Sequence, residues 1–333
     1  MVIVLMITSL VCGVPVDDLS AQEDSAQRGN AEPAEIEEIV VKPKSDGLME
    51  VYIGDQLFTV FNYRESRKPY FYPLYGPGQI PMTRSYPMEE GVEGEATDHP
   101  HHTSLWFAHG DVEGKDFWTE KATIETESLE AIPHGLKVVN NWGQGSKVVA
   151  IEESKYKFFH DGTHRGISLE TKIVPAPELS EITFGDTKEG TFAIRTHPSL
   201  RLKKDKSVAA TTANGQAINS AGDRGKEVWG KRAKWVYYWA DMDGDEATRD
   251  TRGVAIFDHP ENLRHPTTWH ARDYGLIAAN PFGLHDFLKQ EKGSGDVVVT
   301  QDQPLELRYL ILFSQGKLSE ADLESMFENY SND

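Results

Sequence analysis

Cysteine is nearly absent from this sequence of 333 residues, since Cys12 is the only one. The body of the chain therefore has no disulfide, no Cys nucleophile, no Cys-ligated zinc and no iron–sulfur site. Basic residues are also few: 34 Lys and Arg stand against 53 Asp and Glu, which gives a formal net charge of −19. Such a chain repels a polyanion, so we expect no nucleic-acid partner.

Long apolar runs are missing after the first residues. Residues 1–13 form an apolar run of signal-peptide length that is too short to be a secure transmembrane span. Residues 14–46 are rich in Ala, Glu, Ser, Gln and Pro, a composition that buries too little apolar surface to offset the entropy of ordering. We expect a signal peptide over 1–13, export to the periplasm or beyond, and no membrane span. We also expect a flexible acidic linker over 14–46, in which residues 36–41 can form a first strand.

Strand–helix alternation and a G-x-G-x-x-G motif are missing as well, which argues against a Rossmann fold or an α/β barrel. From Met49 onward the chain shows short runs rich in β-branched and aromatic residues, separated by Gly-containing turns. The clearest runs are 122–129, 136–142, 148–159, 167–174, 191–196, 235–240, 254–258, 297–300 and 305–313. We predict a single all-β domain over 47–333, a large antiparallel β-sandwich.

One short helix is expected near the end of the chain. Ser319 has the position of an N-cap, and Asp322 follows at the third helical position, as in a capping box. Leu318 and Leu323 are spaced to form a hydrophobic staple across the start of this helix. The pattern assigns the helix to packing and not to chemistry.

Histidine is concentrated in one stretch, residues 98–118, which holds four of the twelve histidines. Imidazole and carboxylate groups suit acid/base catalysis near neutral pH, and they also suit divalent metals. On an extended backbone His99 and His101 share a face, as His109 and Asp111 do. We take His99, His101 and Asp111 as candidate metal ligands, which leaves a divalent metal cofactor open. A histidine-rich loop held by hydrogen bonds fits the same pattern.

Two histidines of this stretch are the first candidates for proton transfer. His102 and His109 flank a predicted strand over 104–108, and Asp111 is placed to orient His109. Trp106 within this strand is a candidate sugar-stacking surface.

A carboxylate near the middle of the chain is a third candidate acid or base. Glu189 stands next to Lys188, directly before the predicted strand 191–196. The alternative is a solvated ion pair in a turn, which contributes little.

The stretch from Trp269 to Asn280 combines the remaining candidates. Trp269 is suited to stack on a sugar ring, and His270 beside it is a candidate acid or base. Arg272 is suited to bind a carboxylate or sugar hydroxyls, and Asn280 to bind a hydroxyl. The alternative is that Trp269 belongs to the core and that Arg272 pairs with Asp273.

Four motifs in order carry a family resemblance. They are Pro69-Tyr-Phe-Tyr-Pro-Leu, Asp98-His-Pro-His-His-Thr-Ser-Leu-Trp-Phe, Asp186-Thr-Lys-Glu-Gly and His265-Pro-Thr-Thr-Trp-His-Ala-Arg-Asp-Tyr-Gly-Leu-Ile-Ala-Ala-Asn-Pro-Phe-Gly. They resemble the PmoA-like family of uncharacterised bacterial proteins, often labelled "methane oxygenase PmoA". The resemblance implies a β-sandwich similar to the galactose mutarotase-like supersandwich and little about activity. Thr103 is a departure, because relatives often carry Arg there. Methane oxidation is excluded, since a methane monooxygenase subunit needs several long apolar helices.

Together these patterns favour an exported carbohydrate-active enzyme that performs acid/base chemistry on a sugar or sugar derivative. Elimination, hydrolysis and epimerisation all remain open. One alternative is a non-catalytic carbohydrate-binding protein, and another is a metal-dependent enzyme acting on oxidised (3-keto) sugars. The enzyme hypothesis predicts that residues 98–116, 187–190 and 269–280 meet at one cleft.

Overall fold

The structure is a computed structural model that describes residues 37–64, 66–204, 208, 212–243 and 250–332. The predicted signal peptide over 1–13 lies outside these residues, as does the predicted linker up to residue 36. From residue 37 onward the described chain belongs to one compact unit.

The first large sheet begins inside the stretch that the sequence assigned to the linker. Its strands are β1 (Ile39–Ser45), β2 (Leu48–Ile53), β3 (Gln56–Asn62), β4 (Tyr70–Leu74), β5 (Leu105–His109), β11 (Gly190–Arg195), β15 (Thr268–Trp269) and β16 (Leu276–Asn280). They pair in the order β1-β2-β3-β4-β5-β11-β16-β15, and each pairing is antiparallel. Because β1 pairs with β2, the assignment of residues up to 46 to a linker is too long. The expected first strand over 36–41 overlaps β1.

The second large sheet contains the long strands of the chain. Its strands are β6 (Thr123–Ile132), β7 (Gly135–Gln144), β8 (Lys147–His160), β9 (Arg165–Pro175), β12 (Gln216–Asn219), β13 (Trp235–Asp241), β14 (Thr251–Asp258) and β18 (Leu305–Gln315). They pair in the order β12-β13-β14-β18-β9-β8-β7-β6. Strands β10 (Glu181–Phe184) and β17 (Val297–Thr300) form a separate antiparallel pair.

The two large sheets pack face to face over a core rich in aromatic rings. Three contacts across the interface are Phe58 with Phe158 at 6.2 Å, Phe107 with Trp142 at 6.0 Å and Phe192 with Tyr309 at 5.4 Å between ring centroids. Alternation along each strand sends these side chains inward. The predicted all-β antiparallel sandwich is confirmed.

Helices are few and short in the described residues. They are α1 (Leu284–Leu288), α2 (Glu320–Ser331) and three 3-10 turns at Pro77–Gln79, Pro198–Leu200 and Gly225–Val228. Ser319 caps α2 and forms the predicted capping box with Asp322. Leu323 and Phe327 of this helix pack on the outer face of the second sheet. None of the helices in the described ranges is long and apolar enough to cross a membrane.

Candidate functional site

The candidate site lies on the face of the first sheet that points away from the second sheet. Phe192 stacks on Tyr309 of the second sheet, so the next residue, Ala193, points to the outer face. The strand register places Trp106 and Ala278 on either side of Ala193. Paired residues of neighbouring strands share a face, so two alanines form a floor of small side chains beside the Trp106 indole.

Four stacked rings run from the protein surface into this floor. The ring centroids are 5.2 Å apart between Tyr274 and His99, 4.7 Å between His99 and His102, and 5.3 Å between His102 and Trp106. The side chain of His99 is 40% exposed, whereas His102 and Trp106 are buried. We call these four rings the ring column. Its outer end, at Tyr274 and His99, is the part that a ligand can reach.

Asp98 holds the outer end of the column in place. Its Oδ1 accepts hydrogen bonds from Arg84 at 2.6 Å and from Arg195 at 2.8 Å. Both guanidinium groups are buried, at 3% and 1% exposure, while the Asp98 side chain is 39% exposed. Burial opposes ionisation of Asp98, but the His99 hydrogen bond and the charges of Arg195 and Arg84 outweigh it. They hold the pKa of Asp98 well below its usual range.

The second oxygen of Asp98 orients His99. The Nδ1–H of His99 donates to Asp98 Oδ2 at 2.7 Å, which leaves Nε2 on the far side of the ring as the proton acceptor. The backbone of His99 has a φ of 47°. This left-handed conformation is costly for a residue with a Cβ, and such strain is concentrated at functional sites. His99 is thus a half-exposed imidazole in a fixed orientation.

A second histidine lies on the same outer face. His270 exchanges two backbone hydrogen bonds with Ala278, so its ring points outward beside the alanine floor. Its Nδ1–H donates to the carbonyl of Lys188 at 2.9 Å. Burial, with a smaller contribution from the charge of Arg272, lowers the pKa of His270 to about 3. The ring is therefore neutral at physiological pH, with Nε2 unprotonated.

Charged side chains surround the ring of Tyr274. The carboxylate of Glu189 is 29% exposed and lies 3.2 Å from the Lys188 ammonium. Burial raises the pKa of Tyr274, and the negative charges of Glu189 and Asp98 raise it further. The positive charges of Arg272 and Arg195 lower the pKa, but they do not outweigh burial. We call Asp98, His99, Glu189, Arg272 and Tyr274, all partly exposed, the rim cluster.

His102 and His101 do not have the predicted positions for chemistry. His102 is 1% exposed, and its Nδ1 accepts a hydrogen bond from Arg195 at 3.2 Å. Burial and the charge of Arg195 lower the pKa of His102 well below its usual value. Its placement inside the ring column argues against the predicted role as acid or base. Burial also lowers the pKa of His101, to about 4, and Lys68 donates to its carbonyl at 2.8 Å.

His109 is a core residue. It has no exposed surface, and its Nε2–H donates to the carbonyl of Gly185 at 2.9 Å. The ring packs 4.6 Å from that of Phe282, between centroids, and burial lowers its pKa to about 4. A substrate has no access to a ring in this position. The structure therefore corrects the assignment of His109 to catalysis, and Asp111 does not orient it.

Three of the four predicted binding residues, Trp106, Trp269 and Asn280, are also buried, at 2%, 0% and 0% exposure. The indole N–H of Trp269 donates to the Ala233 carbonyl at 2.9 Å. The Asn280 side chain donates to the Thr187 carbonyl at 2.9 Å and accepts from backbone amides just after β16. They belong to the framework and not to a sugar-contacting surface, which corrects their assignment.

The candidate metal ligands are not brought together. His99 and His101 precede β5, whereas Asp111 follows it, and a five-residue strand separates its ends by roughly 15 Å. Asp111 accepts instead from the amide of Gly114 at 3.0 Å. Within the described part of the chain, no group of three or more His, Cys, Asp or Glu side chains is arranged to hold a metal.

The three stretches that the sequence grouped do meet. His99 stacks on Tyr274, the carbonyl of Lys188 accepts from His270, and the amide of Gly110 donates to the carbonyl of Glu189 at 2.7 Å. Of the predicted site residues, Glu189 and Arg272 lie on the exposed rim, and His270 lies directly beneath it.

Sequence reasoning missed Arg84, Arg195 and Tyr274. Arg195 did carry a signal, because it lies within the predicted strand 191–196 on the same face as Ala193. A charged residue inside an apolar strand needs a buried partner. Tyr274 carried no such signal.

Comparison with known proteins gives a family and little else. A family model described as "Family of unknown function (DUF6807)" matches residues 49–328. Curated proteins show no match to this chain. One similar solved structure is a galactose mutarotase related enzyme from Lactobacillus acidophilus, at 8% identity and a TM-score of 0.20, covering 84% of this chain and 100% of that one. A TM-score this low supports no inference about activity.

The resemblance to a PmoA-like family needs correction, because the matching model is a different one and no comparison indicates a PmoA-like protein. The matched residues span most of the β-sandwich, from β2 into α2. The chain belongs to the family of unknown function DUF6807.

Proposed function

We propose that this protein is a carbohydrate-active enzyme that performs acid/base chemistry on a sugar or sugar derivative at the rim cluster, with His99 as the proton-transfer group. The observation that carries the proposal is the Asp98–His99 pair. An ionised carboxylate, 2.7 Å from Nδ1, orients an imidazole that is 40% exposed. Export to the periplasm or beyond remains part of the proposal.

The pair has the geometry that proton transfer requires. Because Nδ1–H donates to Asp98, Nε2 is free to take a proton from a substrate O–H or C–H group and to return it later. Asp98 stays ionised between Arg84 and Arg195, so it stabilises the imidazolium that forms. Glu189, beside the same tyrosine ring, is the second group available for proton transfer.

A sugar suits the remaining groups of the rim. The partly exposed Tyr274 adds a phenol hydroxyl, which donates to and accepts from sugar hydroxyls. Arg272 and Glu189 offer a hydrogen-bond donor and an acceptor at the edges of the tyrosine ring. Elimination, hydrolysis and epimerisation each need one acid and one base, so the cluster supports the class of chemistry and not one reaction.

The test is a sugar panel followed by proton NMR in D2O with the purified protein. The spectra resolve a new vinyl proton after elimination, a new anomeric signal after hydrolysis and loss of a C–H signal after epimerisation. We expect the His99→Gln variant to lower the turnover rate by roughly 10²–10⁴, the range for losing a general acid or base. Its thermal midpoint should stay close to that of the wild type, because the Arg84 and Arg195 bonds to Asp98 remain.

The matched control is His134→Gln. His134 is another exposed histidine with a positive φ, 55°, and it lies in the turn between β6 and β7. It should leave turnover unchanged. Full turnover in His99→Gln removes His99 from the mechanism, and sugar binding without any turnover by the wild type favours a carbohydrate-binding protein.

A further inference from the structure

We infer that the sugar bound at the rim cluster carries an anionic group, and that Arg272, Trp229 and Lys289 form the subsite for it. The inference rests on the proposed function in that it names the substrate class of the same site. It starts from charges that the fold leaves without a counterion, in a chain whose net charge is −19.

Arg272 is held between two aromatic rings. Its guanidinium carbon lies 5.8 Å from the ring centroid of Trp229 and 5.4 Å from that of Tyr274. Stacking on aromatic faces fixes the plane of the guanidinium and leaves its edge free for hydrogen bonds. The neighbouring carboxylate, Asp273, does not neutralise it, because Asp273 pairs with Lys203 at 2.7 Å.

Lys289 stands on the same tryptophan. Its ammonium lies 5.8 Å from the Trp229 ring centroid and donates to the carbonyl of Asp286 at 2.8 Å. Among the residues that the structure describes, no carboxylate lies within 4.0 Å of the Arg272 or the Lys289 cation. Two cations therefore flank one indole without a protein counterion, which favours an external anion.

Trp229 supplies a second and independent observation. Its indole N–H is buried, and within the described ranges it has no hydrogen-bond acceptor. A buried donor without a partner is costly, so an acceptor belongs at this position. An oxyanion accepts from the guanidinium edge, and a shift of the indole ring that uncovers its N–H would add a second donor.

The subsite is continuous with the rim cluster. Arg272 contacts Tyr274, which stacks on His99, and the Trp229 ring packs on Phe287 at 5.6 Å, which packs on His270 at 6.0 Å. An anionic group held by Arg272 thus places the attached sugar ring beside the proton-transfer group. Sugar carboxylates and sugar phosphates share this chemistry.

The test measures binding of D-glucuronate, D-glucose 6-phosphate and D-glucose to the full chain by isothermal titration calorimetry at low and high salt. We expect an anionic sugar to bind more tightly than glucose, with an affinity that falls as salt rises. Arg272→Ala should weaken that binding roughly 10- to 100-fold, as for loss of a hydrogen bond to a charged group, and weaken the binding of glucose far less. The tighter of the two anionic probes identifies carboxylate or phosphate as the natural group.

Arg308→Ala is the matched control, since Arg308 lies on the second sheet and pairs with Glu261. It should change neither affinity. Equal binding of all three sugars, no binding of either anionic probe, or an Arg272→Ala variant with wild-type affinity overturns the inference. Anion binding that persists in a protein without any turnover would instead remove the proposed catalysis and leave the subsite standing.

Discussion

Replacing Asp98 by Asn should destabilise the protein, because this one carboxylate is the hydrogen-bonded counterion of two buried guanidinium groups. Arg84 and Arg195 are 3% and 1% exposed, so water cannot take over the role of Asp98 for either of them. Removing one partner of a buried ion pair costs about 3–5 kcal/mol. Asp98 itself is 39% exposed, and solvent screening brings the expected cost down to about 2–3 kcal/mol.

The assay is thermal unfolding of the wild type and the Asp98→Asn variant at pH 7. Given an unfolding entropy of about 2.1 cal/mol/K per residue and roughly 300 folded residues, the expected loss lowers the midpoint by roughly 3–5 °C. The matched control is Asp55→Asn, in the exposed turn between β2 and β3, which should change stability by less than about 0.5 kcal/mol.

The difference between the two proteins should depend on pH in one direction. The pKa of Asp98 is lower in the folded protein than in the unfolded chain, where it is about 3.9. Its stabilising contribution is therefore complete above about pH 4 and is lost as the pH falls through the folded value. Equal midpoints at pH 7, or a difference that does not narrow between pH 5 and pH 3, would refute the reasoning.

The remaining predictions concern the core. His109→Ala should destabilise the protein by about 2–4 kcal/mol in thermal unfolding and leave activity per folded molecule intact. Gly190→Ala should destabilise by about 1–3 kcal/mol, because its new Cβ would lie 2.5 Å from His109 Nδ1, and the double variant should lose less than the sum of the two. Burial raises the pKa of Glu152, so the free energy of unfolding should fall as the pH rises above the ordinary glutamate pKa of about 4.3. Denaturant titrations between pH 4 and pH 7 should show a smaller fall of this free energy in Glu152→Gln than in the wild type.

The strands and the capped helix were readable from the sequence because their signals are local. The predicted run 148–159 lies inside β8, Lys147–His160, and its alternating burial is visible in the chain. The Ser319 cap depends on residues three positions apart, which sequence alone supplies.

The site could be predicted only in part from the sequence, because contacts with distant parts of the chain decide which of its residues are buried. All five residues of β5 are buried, so alternation marks no polar face and does not separate Trp106 or His109 from exposed residues. The partners of Asp98 lie 14 and 97 residues away, and no local pattern connects them. His99 was grouped with metal ligands, since only the structure shows that a carboxylate and a left-handed backbone fix its ring.

The position of Asp98 has a consequence for how this family can diversify. The same carboxylate ties the loop before β5 to β11 and aligns the imidazole of His99. A change there therefore alters folding and proton transfer together, and selection cannot act on one without the other. Arg272 and Lys289, by contrast, form no ion pair within the described residues, so their replacement changes few contacts. New ligand preferences should therefore arise first among these outer cations, while the aspartate behind them stays constant.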